Sequence, residues 1–126
     1  MRFYLSAVLL SLTLRAYAES PCDVRPGTTM GIRVMEFASG NVVHSKIPLR
    51  ESSPEALLEE MLNLQDMGVC EERIISRKCV LKFQKLRNTN YVVLLRGSEK
   101  WNAWGLKSKD DAQKYVKGLK RYGFCT

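Results

Sequence analysis

Two stretches of the chain repeat apolar residues at helical spacing. Leu57, Met61 and Leu64 fall on one face of a segment running from Ser53 to Cys70, and Ala112, Val116 and Leu119 do the same between Ser108 and Cys125. Aligned with each other, the two segments match at Ser53 and Ser108, Leu64 and Leu119, Gly68 and Gly123, and Cys70 and Cys125, always 55 positions apart. Each reads as an amphipathic helix with a serine N-cap and a glycine just past its end. Ser53-Pro54 puts proline at the first helical position, where its missing N–H costs nothing. Ser108-x-x-Asp111 resembles a capping box, with Asp110 and Asp111 near the positive end of the helix dipole.

Alternating and β-branched runs precede each helix. Ile32 to Phe37 and Val42 to Ile47 flank the turn signal Ser39-Gly40-Asn41, and Arg73 to Phe83 and Tyr91 to Arg96 flank Arg87-Asn88-Thr89-Asn90. The chain therefore reads as β-β-α twice, a tandem duplication with halves at about 22–70 and 73–125. The expected fold is α+β: one four-stranded antiparallel sheet with both helices on one face, leaving the other face open to a partner.

The start of the chain has a different pattern. Arg2 precedes an apolar run from Phe3 to Leu14, and Ala16-Tyr17-Ala18 follows as a small-residue cleavage site. This predicts a secretory signal peptide over 1–18, of a form that suggests bacterial export, and one mature domain over 19–126. The run of about 12 apolar residues is too short to span a bilayer, which takes roughly 20. No later stretch is longer or more apolar, so no membrane span is expected, and the localisation expected is periplasmic or secreted.

In an oxidising compartment, Cys22, Cys70, Cys79 and Cys125 are expected to form two disulfides. Four cysteines allow three connectivities. The duplication selects Cys22–Cys70 and Cys79–Cys125, which close two loops of similar length, each worth about 4 kcal/mol in the loop-entropy description. With no Cys-x-x-Cys and His44 as the lone histidine, no metal site is expected, and no cofactor motif is present.

The composition of the 126 residues is globular, with 45% hydrophobic and 26% charged residues; it excludes collagen, coiled coil and a multi-pass membrane protein. The charge is divided. Residues 19–72 carry 4 Lys/Arg against 10 Asp/Glu, a net −6, while residues 73–126 carry 14 against 3, a net +11. Lys114, Lys117 and Arg121 share one helix face. Such a surface suits an anionic partner: a cell-wall polymer, lipid head groups or an acidic protein. Nucleic acid is not expected, because the aromatic stacking pattern of single-strand binders is absent and the compartment is wrong. Trp101 and Trp104, with Tyr91 in the same half, are candidate contact residues, since tryptophan and tyrosine bring large contact area at low entropic cost.

A catalytic set is harder to assemble. His44 sits in an expected strand without a nucleophile motif, and Glu55, Glu59 and Glu60 lie along an exposed helix face rather than across a cleft. With the cysteines assigned to disulfides, no thiol nucleophile remains. The reading is not an enzyme. It is an exported binding module that modulates another envelope or extracellular protein, of inhibitor, immunity or exclusion type. Its binding residues are Trp101, Trp104, Tyr91, Lys114, Lys117 and Arg121. A small secreted hydrolase is a further alternative, and the oligomeric state is open.

One family resemblance runs through residues 42–124. Tyr91-Val92-Val93-Leu94-Leu95, then Trp104-Gly105-Leu106-Lys107-Ser108-Lys109-Asp110-Asp111-Ala112, then Leu119 and Gly123-Phe124, resembles the repeat of SPOR domains. The resemblance implies a ribonucleoprotein-like α+β fold that binds denuded peptidoglycan glycan strands through its sheet. Cell-wall glycan is accordingly the alternative partner.

Overall fold

The computed structural model describes residues 21–101 and 108–126; the expected signal peptide and Trp104 lie outside the described residues. The chain forms β1 (Asp23–Thr29), β2 (Ile32–Ser39), β3 (Val42–Pro48), a short 3-10 turn (Leu49–Glu51) and α1 (Pro54–Asp66). It continues with β4 (Cys79–Leu86), β5 (Thr89–Arg96), β6 (Glu99–Trp101) and α2 (Lys109–Arg121). The class is α+β, but the single four-stranded sheet does not form. Two three-stranded antiparallel meanders take its place, ordered β1-β2-β3 and β4-β5-β6.

The repeat is thus β-β-β-α, with one more strand per half than the hydrophobic pattern reveals. β1 carries Pro26 and Gly27, which read as strand breakers. Proline is tolerated here because β1 is the outer strand of its sheet, where a missing N–H breaks no ladder. A Cβ on Gly27 would lie 2.5 Å from the carboxyl of Glu36, so that side chain and its 3.7 Å ion pair with Arg25 would have to shift. β6 is only three residues long and lies in what reads as a polar connection. The long run from Arg73 also begins later as strand, at Cys79.

The register shows how closely the halves agree. Asp23↔Ala38 in the first sheet is matched by Val80↔Leu95 in the second, and Ala38↔Val43 by Leu95↔Lys100, each 57 positions further on. The turns agree as well. Met30-Gly31 and Arg87-Asn88 both have positive φ at both positions, the type I′ geometry that suits the twist of a two-residue hairpin. In each second hairpin the turn opens on a glycine with positive φ, Gly40 or Gly97.

Helix ends repeat in the same way. Ser53 Oγ accepts the Ala56 N–H at 3.1 Å, and Ser108 Oγ accepts the Asp111 N–H at 3.2 Å. At the other end, Val69 N–H donates to Leu64 O and Phe124 N–H to Leu119 O, with Gly68 and Gly123 in the left-handed conformation between them. Both helices therefore finish in a Schellman motif. The disulfides are Cys22–Cys70 and Cys79–Cys125, tying the first strand of each half to the end of its helix.

One core serves both halves. Val24, Met35 and Phe37 of the first sheet, Leu94 and Trp101 of the second, Leu57, Met61 and Leu64 of α1, and Leu119 of α2 form a single buried cluster. The helices touch closely where Gly118 meets Pro54: a Cβ on Gly118 would stand 2.9 Å from the proline ring. Tyr115 of α2 donates its hydroxyl hydrogen to the Ser52 carbonyl, and burial together with Glu55 holds its phenol well above the usual range.

A buried arginine locks the halves together. Arg96 is 0% exposed. Its Nε donates to Phe124 O at 2.8 Å, Nη1 to Asp23 Oδ1 at 2.9 Å and to Val24 O at 3.1 Å, and Nη2 to Ile75 O. Its guanidinium also lies 5.3 Å from the Trp101 ring centre. Asp23 takes Arg77 Nη2 at 2.7 Å on its other oxygen. Burial raises the Asp23 pKa, but hydrogen bonds and charge from Arg77 and Arg96 outweigh it and leave the carboxyl below its ordinary value.

Candidate binding surface on the second repeat

The expected contact residues fall in different places. Trp101 is 1% exposed and packs in the core against Arg96, so its ring is spent on folding. Tyr91 is 38% exposed. Lys114, Lys117 and Arg121 are all exposed on α2. Of these three, Lys117 faces a cavity shared with the sheet.

The structure brings Tyr91 together with residues that the sequence did not single out. β4 and β5 pair Phe83 with Val92, Gln84 with Tyr91 and Lys85 with Asn90 at the hairpin end. The first turn of α2 places Ser108 and Lys109 beside them, enclosing an open concavity of about 570 Å³. Phe83 is 52% exposed, and Lys109 Nζ sits 5.2 Å from its ring centre, a cation–π contact. Further along the same helix, Gln113, Val116, Lys117 and Lys120 face Cys79 and Leu81 across a second cavity of about 320 Å³. The two hollows lie along β4, between that strand and α2. Lys85, Lys109, Lys117 and Lys120 line them, and no carboxylate does among the described lining residues.

The first repeat carries different side chains at these positions. In the strands its counterparts of Phe83, Tyr91 and Val92 are Pro26, Val34 and Met35, and the last two are buried. On the helix, Lys109, Gln113, Lys117 and Lys120 correspond to Pro54, Leu58, Leu62 and Gln65. The basic and aromatic groups are therefore particular to the second copy. In the sequence, the available signal was the pairing of a strand phenylalanine with lysines at positions where the other copy carries none.

Elsewhere the chemistry is limited. His44 Nε2 is hydrogen-bonded to Ser39 Oγ at 3.0 Å, a contact that the sequence spacing did not suggest. That hydroxyl also stands 3.2 Å from Cys22 Sγ, and no hydrogen bond from His44 to a carboxylate occurs among the described residues. Glu60 accepts the Ser45 hydroxyl at 2.9 Å, fixing α1 to the first sheet, while Glu55 and Glu59 point to solvent. Among the described residues no cluster of three or more His, Cys, Asp or Glu could hold a metal. No described helix is long and apolar enough to cross a membrane. Comparison with known families, with curated proteins and with solved structures finds no match to this chain.

Proposed function

We propose that this protein is an exported, non-enzymatic binding module that grips an acidic region of another protein with its second repeat. The observation that carries the reading is the pair of hollows along β4: exposed Phe83 and Tyr91 line one with Lys85 and Lys109, and Lys117 and Lys120 line the other. Aromatic groups give contact area, and lysines at the rim steer and select a partner of opposite charge. The two disulfides support a place outside the reducing cytoplasm. Trp101 drops out of the contact set because it is buried.

The test is capture of partners from an envelope extract at low salt, with wild-type protein beside a Lys85→Glu/Lys109→Glu variant. A defined acidic protein should be retained by the wild type, be released by salt, and be lost on the variant. Co-sedimentation of wild-type protein with purified peptidoglycan sacculi, with no protein retained, would transfer the surface to cell-wall glycan.

A further inference from the structure

Among the described residues nothing pairs with the outer edge of β4 between Cys79 and Leu86, and its backbone polarity can be assigned. Lys78 O accepts Gly97 N–H, so the polar groups of Lys78 turn toward β5. Arg77 turns the other way: its N–H donates to Phe124 O, and its own carbonyl accepts Thr126 N–H. Arg77 and Cys125 form a parallel bridge. Backbone groups alternate sides along a strand, so Cys79, Leu81, Phe83 and Lys85 present theirs to the outer edge. The first repeat gives an independent check. Pro26 stands at the position of Phe83 in the same register, and a proline there must turn its nitrogen away from the paired strand.

The two outer strands have been treated differently. β1 has a proline at this position and packs against β6. Among the described residues, no backbone hydrogen bond beyond its own ladder reaches β4 between Cys79 and Leu86. The ladder that the 124–126 segment begins at Arg77 stops short of these donors and acceptors. An unpaired edge is a template for another strand. Here that edge borders a groove whose lysines, Lys85, Lys109, Lys117 and Lys120, lie on the α2 side.

We infer that β4 is a docking edge, on which an extended acidic segment of the partner protein adds as a further strand. Its backbone pairs with Leu81, Phe83 and Lys85, and carboxylates at alternate positions project toward the lysines of α2. The inference rests on the protein-binding reading above and names its mode. A glycan cannot pair along the edge in this way, and an acidic helix would engage the lysines without it.

The probe is the peptide acetyl-Glu-Thr-Glu-Val-Glu-Thr-Glu-amide, titrated into the disulfide-bonded protein and followed by amide hydrogen exchange. The control peptide has the same sequence and charge, with alternate backbone nitrogens methylated. The unmodified peptide should slow exchange at Leu81, Phe83 and Lys85 by at least tenfold, and methylation should weaken binding by at least tenfold. Phe83→Pro copies the residue of β1 into β4; it should retain the wild-type circular dichroism spectrum and lose the peptide. Equal binding of both peptides, shifts confined to α2, or no binding at millimolar peptide would each overturn the inference. If Lys85→Glu/Lys109→Glu still abolishes capture of the natural partner while that partner leaves the β4 amides unprotected, strand addition falls and the protein-binding reading stands.

Discussion

The two repeats share a backbone and differ in what they offer the solvent. Register, turn type, serine cap and terminal Schellman glycine all recur, while the residues facing the strand–helix groove do not: Pro26, Pro54, Leu58, Leu62 and Gln65 stand opposite Phe83, Lys109, Gln113, Lys117 and Lys120. Backbone geometry is held by local rules that many side chains satisfy, so a copied unit keeps its shape while its surface diverges. One pair of equivalent strand-end positions, half-buried Ser39 and buried Arg96, has diverged too. Ser39 bonds locally within its own half, whereas Arg96 reaches Asp23 and Val24 in the other. The second repeat supplies the lock between the halves and carries the lysine-lined hollows.

The largest expected effect separates those two positions. Arg96→Ala removes the buried charge partner of Asp23 and the side-chain donor to the Phe124, Val24 and Ile75 carbonyls, and should cost about 3–5 kcal/mol by urea denaturation. Ser39→Ala removes only the local contacts to His44 and Cys22 and should cost about 1 kcal/mol. Equal losses would show that the lock is not where the halves hold together. A second pair sharpens the helix contact. Gly118→Ala meets the Pro54 ring and should destabilise by about 1–3 kcal/mol, against the usual helix preference for alanine. Its counterpart Asn63 is exposed, and Asn63→Ala should be neutral or stabilising by a few tenths.

The smallest effect is in pH. Because the Asp23 carboxyl lies below its ordinary value when folded, its contribution is complete above the unfolded carboxyl pKa of about 4 and is lost as pH falls through the folded value. Stability measured between pH 5 and pH 2 should fall less steeply for Asp23→Asn than for wild type. Parallel curves would assign the acid sensitivity to other carboxylates.

The helices were legible because their signals are local: Ser53-Pro54, Ser108-x-x-Asp111, Gly68 and Gly123 each act within a turn of their own position. The disulfide pairing was legible through the duplication. β1 was not, since Pro26 and Gly27 are breakers everywhere except at an edge, and edge status is a property of the sheet. β6 was too short to show alternation. Arg96 inverted its usual role, a charge buried against Trp101, because its hydrogen-bond partners Asp23, Val24 and Phe124 lie far away in the chain.

By itself, the amino-acid order determined the helix limits, the hairpin turns after Ser39 and Leu86, the two disulfide loops and the division of charge between the halves. These depend on contacts within a few residues, on counting, or on comparing one half with the other. Only the tertiary structure decided that the sheet is two sheets, that Arg96 and Trp101 are buried, and that Phe83 meets Lys109 of α2. Burial and edge exposure are set by which distant segments cover a strand, and that information lies in no local stretch of sequence.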